Sequence, residues 1–173
     1  GRKGANDYAD DINTRSLMTN WLGGGSPYMP ALQGKKVPIE LSLAVHSDAG
    51  YNKDGKTTWG SLAICTTNFN DGMLNSGISR MTSKDLAKAL LKNLVSDLRQ
   101  QYGEFSERYL WDRNYSETRL PEVPAAIIET LSHQSFPDMK IGQDPMGKFT
   151  IARSLYKTIL RYVCTNHGLP YVV

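Results

Sequence analysis

The sequence predicts an α/β fold in which a layered, twisted and mostly parallel sheet is flanked by helices. Residues 39–45 alternate between apolar and polar side chains, which is typical of a half-buried strand. Residues 123–130 form a short and nearly continuous apolar run, which is typical of a strand buried on both faces. Residues 83–102 and 145–166 carry apolar residues at helical spacing. Strands that alternate with amphipathic helices indicate a layered α/β domain.

The composition indicates one globular domain over residues 1–173. Hydrophobic residues make up 40% of the 173 residues and charged residues 21%. Lysine and arginine number 20 against 17 acidic residues, and a net charge of +3 is too mild to indicate a nucleic-acid partner. No apolar run is long enough to span a membrane. Cys65 and Cys164 are too few for a disulfide framework, so we expect two buried free thiols rather than one bridge.

The first predicted element is a helix over residues 8–22, with Asp7 as its N-cap and the glycines at 23–25 as its end. Its apolar residues are expected to share one face: Ile12, Leu17, Trp21 and Leu22. The strand over 39–45 is followed by a loop that begins at His46. A second strand is predicted over 57–66, after a turn.

The remaining elements are two helices with a strand between them. The helix over 83–102 has Thr82 and Asp85 as a capping box. Its apolar stripe consists of Leu86, Leu90, Leu91, Leu94, Leu98 and Tyr102. The strand over 123–130 comes next, and the last helix covers 145–166. Residues 168–173 are expected to start an extended linker to a following domain.

His46 is the first candidate functional residue, because it lies at the carboxyl end of a predicted buried strand. Ligands bind at that end of the sheet in open α/β folds. A neutral imidazole there is a good zinc ligand, and Asp48 or Ser47 would support it. The alternative is a histidine that caps the strand and forms a hydrogen bond with a loop.

Glu129 is the second candidate, because it interrupts the apolar run of the later strand. A carboxylate among apolar neighbours is costly unless it is paired, bound to a metal or used in catalysis. It is therefore either a general acid or base, or one partner of an ion pair with Arg113 or Arg119. His133 follows at the exit of this strand, as a further polar group of the site or as a loop histidine. We expect His46 and Glu129 on neighbouring strands.

Residues 110–119 are dense in aromatic and charged side chains. Such a segment lines a sugar-binding or peptide-binding cleft, or forms a network of structural ion pairs.

Two segments resemble those of the zinc-dependent N-acetylmuramoyl-L-alanine amidases. LSLAVHSDAG, residues 41–50, resembles the strand and loop that supply a zinc-binding histidine in the pattern S-[IL]-H-x-[ND]-A. PAAIIETLSHQSFPDM, residues 124–139, resembles the segment that carries the catalytic glutamate. Residues 144–166 match the closing helix of that family, and Arg15 with Asn20 fits its pattern R-x(4)-N. The resemblance covers most of the chain, with longer loops at residues 23–37 and 103–123.

The motifs HSDAG, LWDRNYSE-x-R and E-x-LSHQ-x-F also resemble a subgroup of cell-envelope proteins often labelled xanthan lyase or amidase. The resemblance implies a peptidoglycan amidohydrolase of the periplasm, the cell envelope or the secreted fraction. In such an enzyme His46 binds zinc and Glu129 is catalytic. Four residues would contact the substrate, namely Asp48, Arg113, Arg119 and His133.

The resemblance further implies that this chain is the carboxyl-terminal two-thirds of a catalytic domain, with the remaining zinc ligands upstream of residue 1. Within the chain, Glu40, Glu117 or His133 are candidates to complete a local site. Two other functions stay open. One is a non-catalytic module that binds peptidoglycan or another cell-surface glycan, and the other is a polysaccharide lyase of the xanthan type.

Overall fold

The computed structural model describes residues 6–172, and this range forms an α/β fold. The elements of the described chain are α1 (Asp7–Gly23), β1 (Ser42–Asp48), β2 (Ser61–Cys65), α2 (Met81–Tyr102), β3 (Glu107–Asp112), α3 (Ser116–Arg119), β4 (Ala125–Ser132), α4 (Phe136–Gln143) and α5 (Pro145–Asn166). The strands form one sheet in the order β1-β4-β2-β3. The predicted fold class, a mostly parallel sheet flanked by helices, is confirmed.

Strands β1 and β4 run parallel, as hydrogen bonds at their two ends show. At the start of both strands, the Ser42 N–H donates to the Pro124 carbonyl at 2.9 Å. At their far end, the His133 N–H donates to the Asp48 carbonyl at 3.0 Å. Both strands therefore end at the same edge of the sheet.

Strands β2 and β3 are also parallel to each other. The Ser61 N–H donates to Ser106 O at 3.1 Å, and the Arg113 N–H donates to Cys65 O at 2.9 Å. The Ser61 hydroxyl donates to Thr130 O at 2.6 Å, which brings the start of β2 to the end of β4. The central pair, β4 and β2, is therefore antiparallel, and β2 and β3 begin at the edge where β1 and β4 end.

The chain forms two compact units, and each is built from three segments. The first unit contains the described parts of Gly1–Ala44, Ile64–Asp85 and Asp112–Ile127. The second unit contains the described parts of Val45–Ala63, Leu86–Trp111 and Ile128–Val173.

Helix α1 is confirmed, but its cap and its buried face differ from the prediction. The Asn6 side chain, rather than that of Asp7, accepts the Ala9 N–H at 3.0 Å, because the helix begins one residue earlier than expected. Leu17 is 45% exposed and Trp21 48% exposed, whereas Ile12 and Leu22 are half-buried, so only part of the expected apolar face is covered. Polar contacts also hold the helix.

These polar contacts join α1 to the segment around α3, within the first unit. The Asn20 amide donates to Leu120 O at 2.8 Å and accepts the Glu122 N–H at 3.0 Å. The Ser16 hydroxyl donates to Ser116 O at 3.2 Å. Small and amide side chains therefore make contacts that the apolar pattern did not predict.

Strand β1 begins three residues later than predicted and continues through Asp48. His46 therefore lies inside the strand rather than after it, because pairing with β4 sets the strand ends and the apolar alternation does not. Strand β2 is shorter than predicted, and all of its residues are buried. Gly60 has a φ of 87°, a conformation that ends the extended segment just before Ser61.

Helix α2 is confirmed, and its predicted stripe supplies much of the buried core. The fully buried members of that stripe are Leu86, Leu90, Leu91, Leu94 and Leu98. The helix begins at Met81, so the predicted capping box of Thr82 and Asp85 does not start it. The Ser79 hydroxyl accepts the Met81 N–H at 3.2 Å instead.

Helix α5 has the predicted bounds, whereas β3, α3 and α4 were not predicted. Strand β3 is half-exposed along its length and carries no clear alternation. The described tail, residues 168–172, lies outside the helices and strands. Whether it links to a further domain stays a prediction.

Both cysteines are free thiols, as expected, but only one of them is buried. Burial raises the pKa of the Cys65 thiol to about 11, so it is protonated and inert at neutral pH. Cys164 is half-buried near the end of α5. Among the described residues, no helix combines the length and the apolar character needed to cross a membrane.

Candidate functional site

His46 and Glu129 lie on the neighbouring parallel strands β1 and β4, within the second unit. In a parallel pair, the N–H of one residue bonds to the carbonyl that precedes its neighbour. The bond from Ser42 to Pro124 therefore places Ser42 beside Ala125, and the bond from His133 to Asp48 places His133 beside Ala49. The register shifts by one residue between these two bonds, so His46 lies across from the Glu129–Thr130 step of β4. Neighbouring strands are about 4.8 Å apart.

Glu129 is the only residue of β4 that is not fully buried. Every other position of the strand is covered, so a charged side chain in this setting requires polar surroundings. The Thr130 hydroxyl donates to His46 O at 3.1 Å, which ties the two strands together at this point. Glu129 therefore presents a half-buried carboxylate on the strand next to that of His46.

Asp48 lies two residues beyond His46 and forms an ion pair with Arg108. The Arg108 guanidinium lies 4.7 Å from the centre of the Trp59 ring and 5.3 Å from that of Tyr109. Burial alone would raise the pKa of the Asp48 carboxyl, but hydrogen bonds from Arg108 and the Ala49 N–H hold it below its usual value. Arg108 therefore balances the charge of the Asp48 carboxylate, and no sequence pattern identified this partner.

His133 lies at the end of β4 and is exposed. Its Nδ1 atom lies 3.1 Å from the Ser47 hydroxyl. Its N–H donates to Asp48 O, and the neighbouring Gln134 side chain accepts the Gly50 N–H at 3.0 Å. The structure therefore brings His133 next to Ser47 and Asp48 at the end of β1, and its role in the site stays a prediction.

Asp138 organises the backbone of the same edge, and the sequence analysis did not select it. Its buried carboxylate accepts the Trp59 N–H at 2.7 Å, the Gly60 N–H at 3.0 Å and the Ser132 N–H at 2.8 Å. The Ser135 hydroxyl donates to it at 2.9 Å. One carboxylate thus holds the start of β2, the end of β4 and the start of α4. The sequence signal that could have identified Asp138 is its position three residues after Ser135, in the first turn of a helix.

Arg113 and Arg119 belong to the first unit. The Arg113 N–H donates to Cys65 O, which continues the pairing of β2 and β3. The Arg119 guanidinium donates to Asn114 Oδ1 at 2.9 Å and lies 5.7 Å from the centre of the Phe69 ring. Their proposed contact with substrate stays a prediction.

Glu40 and Glu117 already have partners of their own within the first unit. The Tyr28 hydroxyl donates to Glu40 at 2.9 Å and Arg15 forms an ion pair with Glu117 at 3.2 Å. Among residues 6–172, no three side chains of His, Cys, Asp and Glu are grouped so that they could hold a metal ion. These residues therefore do not form a complete zinc site of the kind that catalytic zinc enzymes use.

No family model matches the sequence, and no curated protein matches it. Solved structures do match. The N-acetylmuramoyl-L-alanine amidase of Clostridium difficile 630 superimposes with a TM-score of 0.61 at 16% identity, over 88% of this chain and 64% of that chain. Amidase Ami1 of Mycobacterium smegmatis gives 0.62 at 16% identity, over 89% and 61%.

The CwlD amidase of Clostridioides difficile, solved in complex with the GerS lipoprotein, gives a TM-score of 0.62 at 13% identity, over 95% of this chain and 68% of that chain. The present chain spans less than two thirds of the length of the first two of these structures. At such identities the likeness establishes the fold, so this chain has the fold of these amidases.

Proposed function

We propose that this protein hydrolyses the amide bond between N-acetylmuramic acid and L-alanine in peptidoglycan, in the periplasm, the cell envelope or the secreted fraction. The observation that carries the proposal is that His46 and Glu129 lie on neighbouring parallel strands, towards the edge where both strands end. The fold in which they lie is shared with proteins named N-acetylmuramoyl-L-alanine amidases.

Glu129 is the residue to which we assign proton transfer. Its carboxylate is half-buried among apolar neighbours, which keeps bulk water away and strengthens its interaction with a bound water molecule. It would accept a proton from the attacking water and return it to the amine that leaves. Asp48, held by Arg108, and the exposed His133 lie at the end of the same strands, where they would contact the substrate.

His46 is the residue to which we assign zinc binding, as one ligand. The described residues do not fit a complete zinc site, so the other ligands would come from residues outside the range 6–172. Zinc dependence is therefore a separate part of the proposal, with its own measurement.

The test is to replace Glu129 by Gln in the full-length protein and to measure the release of peptides from purified peptidoglycan. The amide keeps the shape of the carboxylate but cannot accept a proton, so we expect a loss of about a hundredfold or more. Zinc content, measured by elemental analysis, should be unchanged in this variant. His46→Ala should lower zinc content and peptide release together, because a ligand is removed.

Asp97→Asn, which alters a half-buried acid on α2, is the control and should retain activity. Full activity in Glu129→Gln would make Glu129 structural and overturn the mechanism. Binding to peptidoglycan without any hydrolysis would instead favour the non-catalytic module, which the lack of a complete metal cluster among residues 6–172 also supports. An unsaturated sugar product that persists in the presence of a chelator would indicate the polysaccharide lyase.

A further inference from the structure

Helix α5 packs onto the second unit through small and polar side chains. Its buried residues are Gly147, Thr150, Ser154, Leu155 and Thr158. The Thr158 hydroxyl accepts from the Asn93 amide of α2 at 3.0 Å and donates to Ser154 O at 2.8 Å. Gly147 lies so close to α4 that a Cβ atom would be 2.0 Å from Ile141 O. The inner side of α5 is therefore closely packed and mostly polar.

The opposite side of α5 is apolar and open to solvent. We call it the outer face of α5, and it consists of Phe149, Ala152, Tyr156, Leu160 and Val163, which follow one another at helical spacing. Phe149 is 58% exposed and Tyr156 63% exposed, and Leu160 and Val163 are half-buried. A helix on a globular protein normally turns its apolar side to the core, as α2 does. An apolar side that faces solvent indicates a surface that another body covers.

Cations border the outer face, and α5 contains no acidic residue. Lys148 and Arg153 are both exposed, and helical spacing puts them on either side of Tyr156. The Arg153 guanidinium lies 5.8 Å from the centre of the Phe149 ring. The ion pairs between described residues involve neither Lys148 nor Arg153. Both cations are therefore available to an anionic partner.

The charge of α5 separates the candidate partners. A second copy of this chain, related by two-fold symmetry, would set the cations of one α5 against the same cations of the other, and like charges repel. A soluble polyanion would pair with the cations but would leave the rings of Phe149 and Tyr156 in water. An anionic lipid surface suits both features. Its phosphate groups attract the cations, and aromatic rings enter the boundary between head groups and acyl chains.

We propose that the outer face of α5 binds the surface of a membrane that contains anionic phospholipids. The helix lies in the plane of that surface, with Lys148 and Arg153 at the level of the phosphate groups and its polar inner side on the second unit. The outer face shares no residue with the candidate site on β1 and β4, so this inference does not depend on the proposed reaction.

The test is co-sedimentation of the full-length protein with vesicles of phosphatidylcholine and phosphatidylglycerol, and with vesicles of phosphatidylcholine alone. We expect saturable binding to the mixed vesicles that weakens as salt is added, because salt screens the attraction. Lys148→Gln combined with Arg153→Gln should weaken binding by about twentyfold, since each cation near an anionic surface strengthens it by about fivefold. Phe149→Ser and Tyr156→Ser should each weaken it by about tenfold, since one ring no longer leaves water.

Two matched variants are the controls. Tyr51→Ser removes a ring that is 62% exposed from the loop after β1. Lys53→Gln combined with Lys88→Gln removes two exposed cations from other parts of the second unit. Both controls should bind the mixed vesicles as the wild type does. All these side chains are exposed, so thermal unfolding should show that every variant folds.

Failure of the wild type to bind the mixed vesicles would overturn the proposal, and so would equal weakening by the control variants. If the charge variant lost binding while Phe149→Ser and Tyr156→Ser kept it, the contact would be that of a polyanion and the lipid assignment would be wrong. A dimer of the wild type in analytical ultracentrifugation that Phe149→Ser abolished would show that a second copy covers the outer face, which would also refute the proposal.

Discussion

Asp138 and Asp48 are two carboxylates at the same edge of the sheet in the second unit, and they are satisfied in different ways. Asp138 is fully buried, and three backbone N–H groups and one hydroxyl donate to it. Asp48 is 28% exposed, and its main partner is the charged side chain of Arg108, which is 15% exposed. One carboxylate therefore binds the backbone, whereas the other balances a charge.

The difference separates a residue that builds the edge from one that can meet a ligand. Backbone donors are fixed in place, so a carboxylate that accepts three of them determines where the strands start and end. A side-chain partner that is partly open to water can exchange its carboxylate for another anion. The comparison predicts that changes at Asp138 act on folding and that changes at Asp48 and Arg108 act more on the site.

Replacing Asp138 by Ala should have the largest effect on stability. The substitution leaves the buried N–H groups of Gly60 and Ser132 without their acceptor, and each such group costs about 1–3 kcal/mol. We therefore expect the free energy of unfolding to fall by about 3–5 kcal/mol. Denaturant unfolding of the full-length protein measures it.

Asp138→Asn is the matched control, because it keeps one acceptor oxygen and should lose only about half as much stability. A loss below about 0.5 kcal/mol in Asp138→Ala, the level of an ordinary surface substitution, would show that the backbone does not depend on this carboxylate.

Replacing Arg108 by Gln should have an intermediate effect. The change removes the charge that balances Asp48 and the cation that packs against Trp59 and Tyr109. Hydrogen bonds to charged groups contribute about 1.5–3 kcal/mol and exposed ion pairs less, so a loss of about 1–2 kcal/mol is expected. Thermal and denaturant unfolding measure it, with Arg153→Gln on the exposed face of α5 as the control. If both variants unfolded alike, the ion pair would have no role in stability.

The sequence predicted the long periodic elements well, because their pattern and their burial have the same cause. The stripe of α2 repeats at helical spacing and packs into the core, and α5 begins at Pro145 with the Asp144 side chain as its cap. The apolar run of β4 reflects a central strand with neighbours on both sides. For these elements the local sequence pattern is sufficient to predict the secondary structure.

The sequence did not predict contacts that join distant segments. Asp48 and Arg108 are 60 residues apart in sequence, and Asp138 binds residues 78 and 79 positions before it. No local pattern encodes such pairs, because they depend on how the strands are ordered in the sheet. His46 was selected because it lies at the carboxyl end of a predicted strand and Glu129 because it interrupts an apolar run, but their placement on neighbouring strands follows only from the pairing of β1 with β4.

The smallest effect should be the pH dependence that Asp48 gives to stability. Its pKa in the folded protein lies below the usual value, so folding favours the ionised form. The contribution is therefore present above the pKa of the unfolded chain, about 3.9, and is lost as the pH falls through the lower pKa of the folded protein. Unfolding free energies measured between pH 6 and pH 2.5, values chosen to bracket about 3.9, should decline more steeply in the wild type than in Asp48→Asn. Arg108→Gln should also decline less steeply, because it lacks the hydrogen bond that lowers this pKa. Parallel curves for all three proteins would show that Asp48 titrates alike in the folded and unfolded chains, and its contrast with Asp138 would then be one of burial alone.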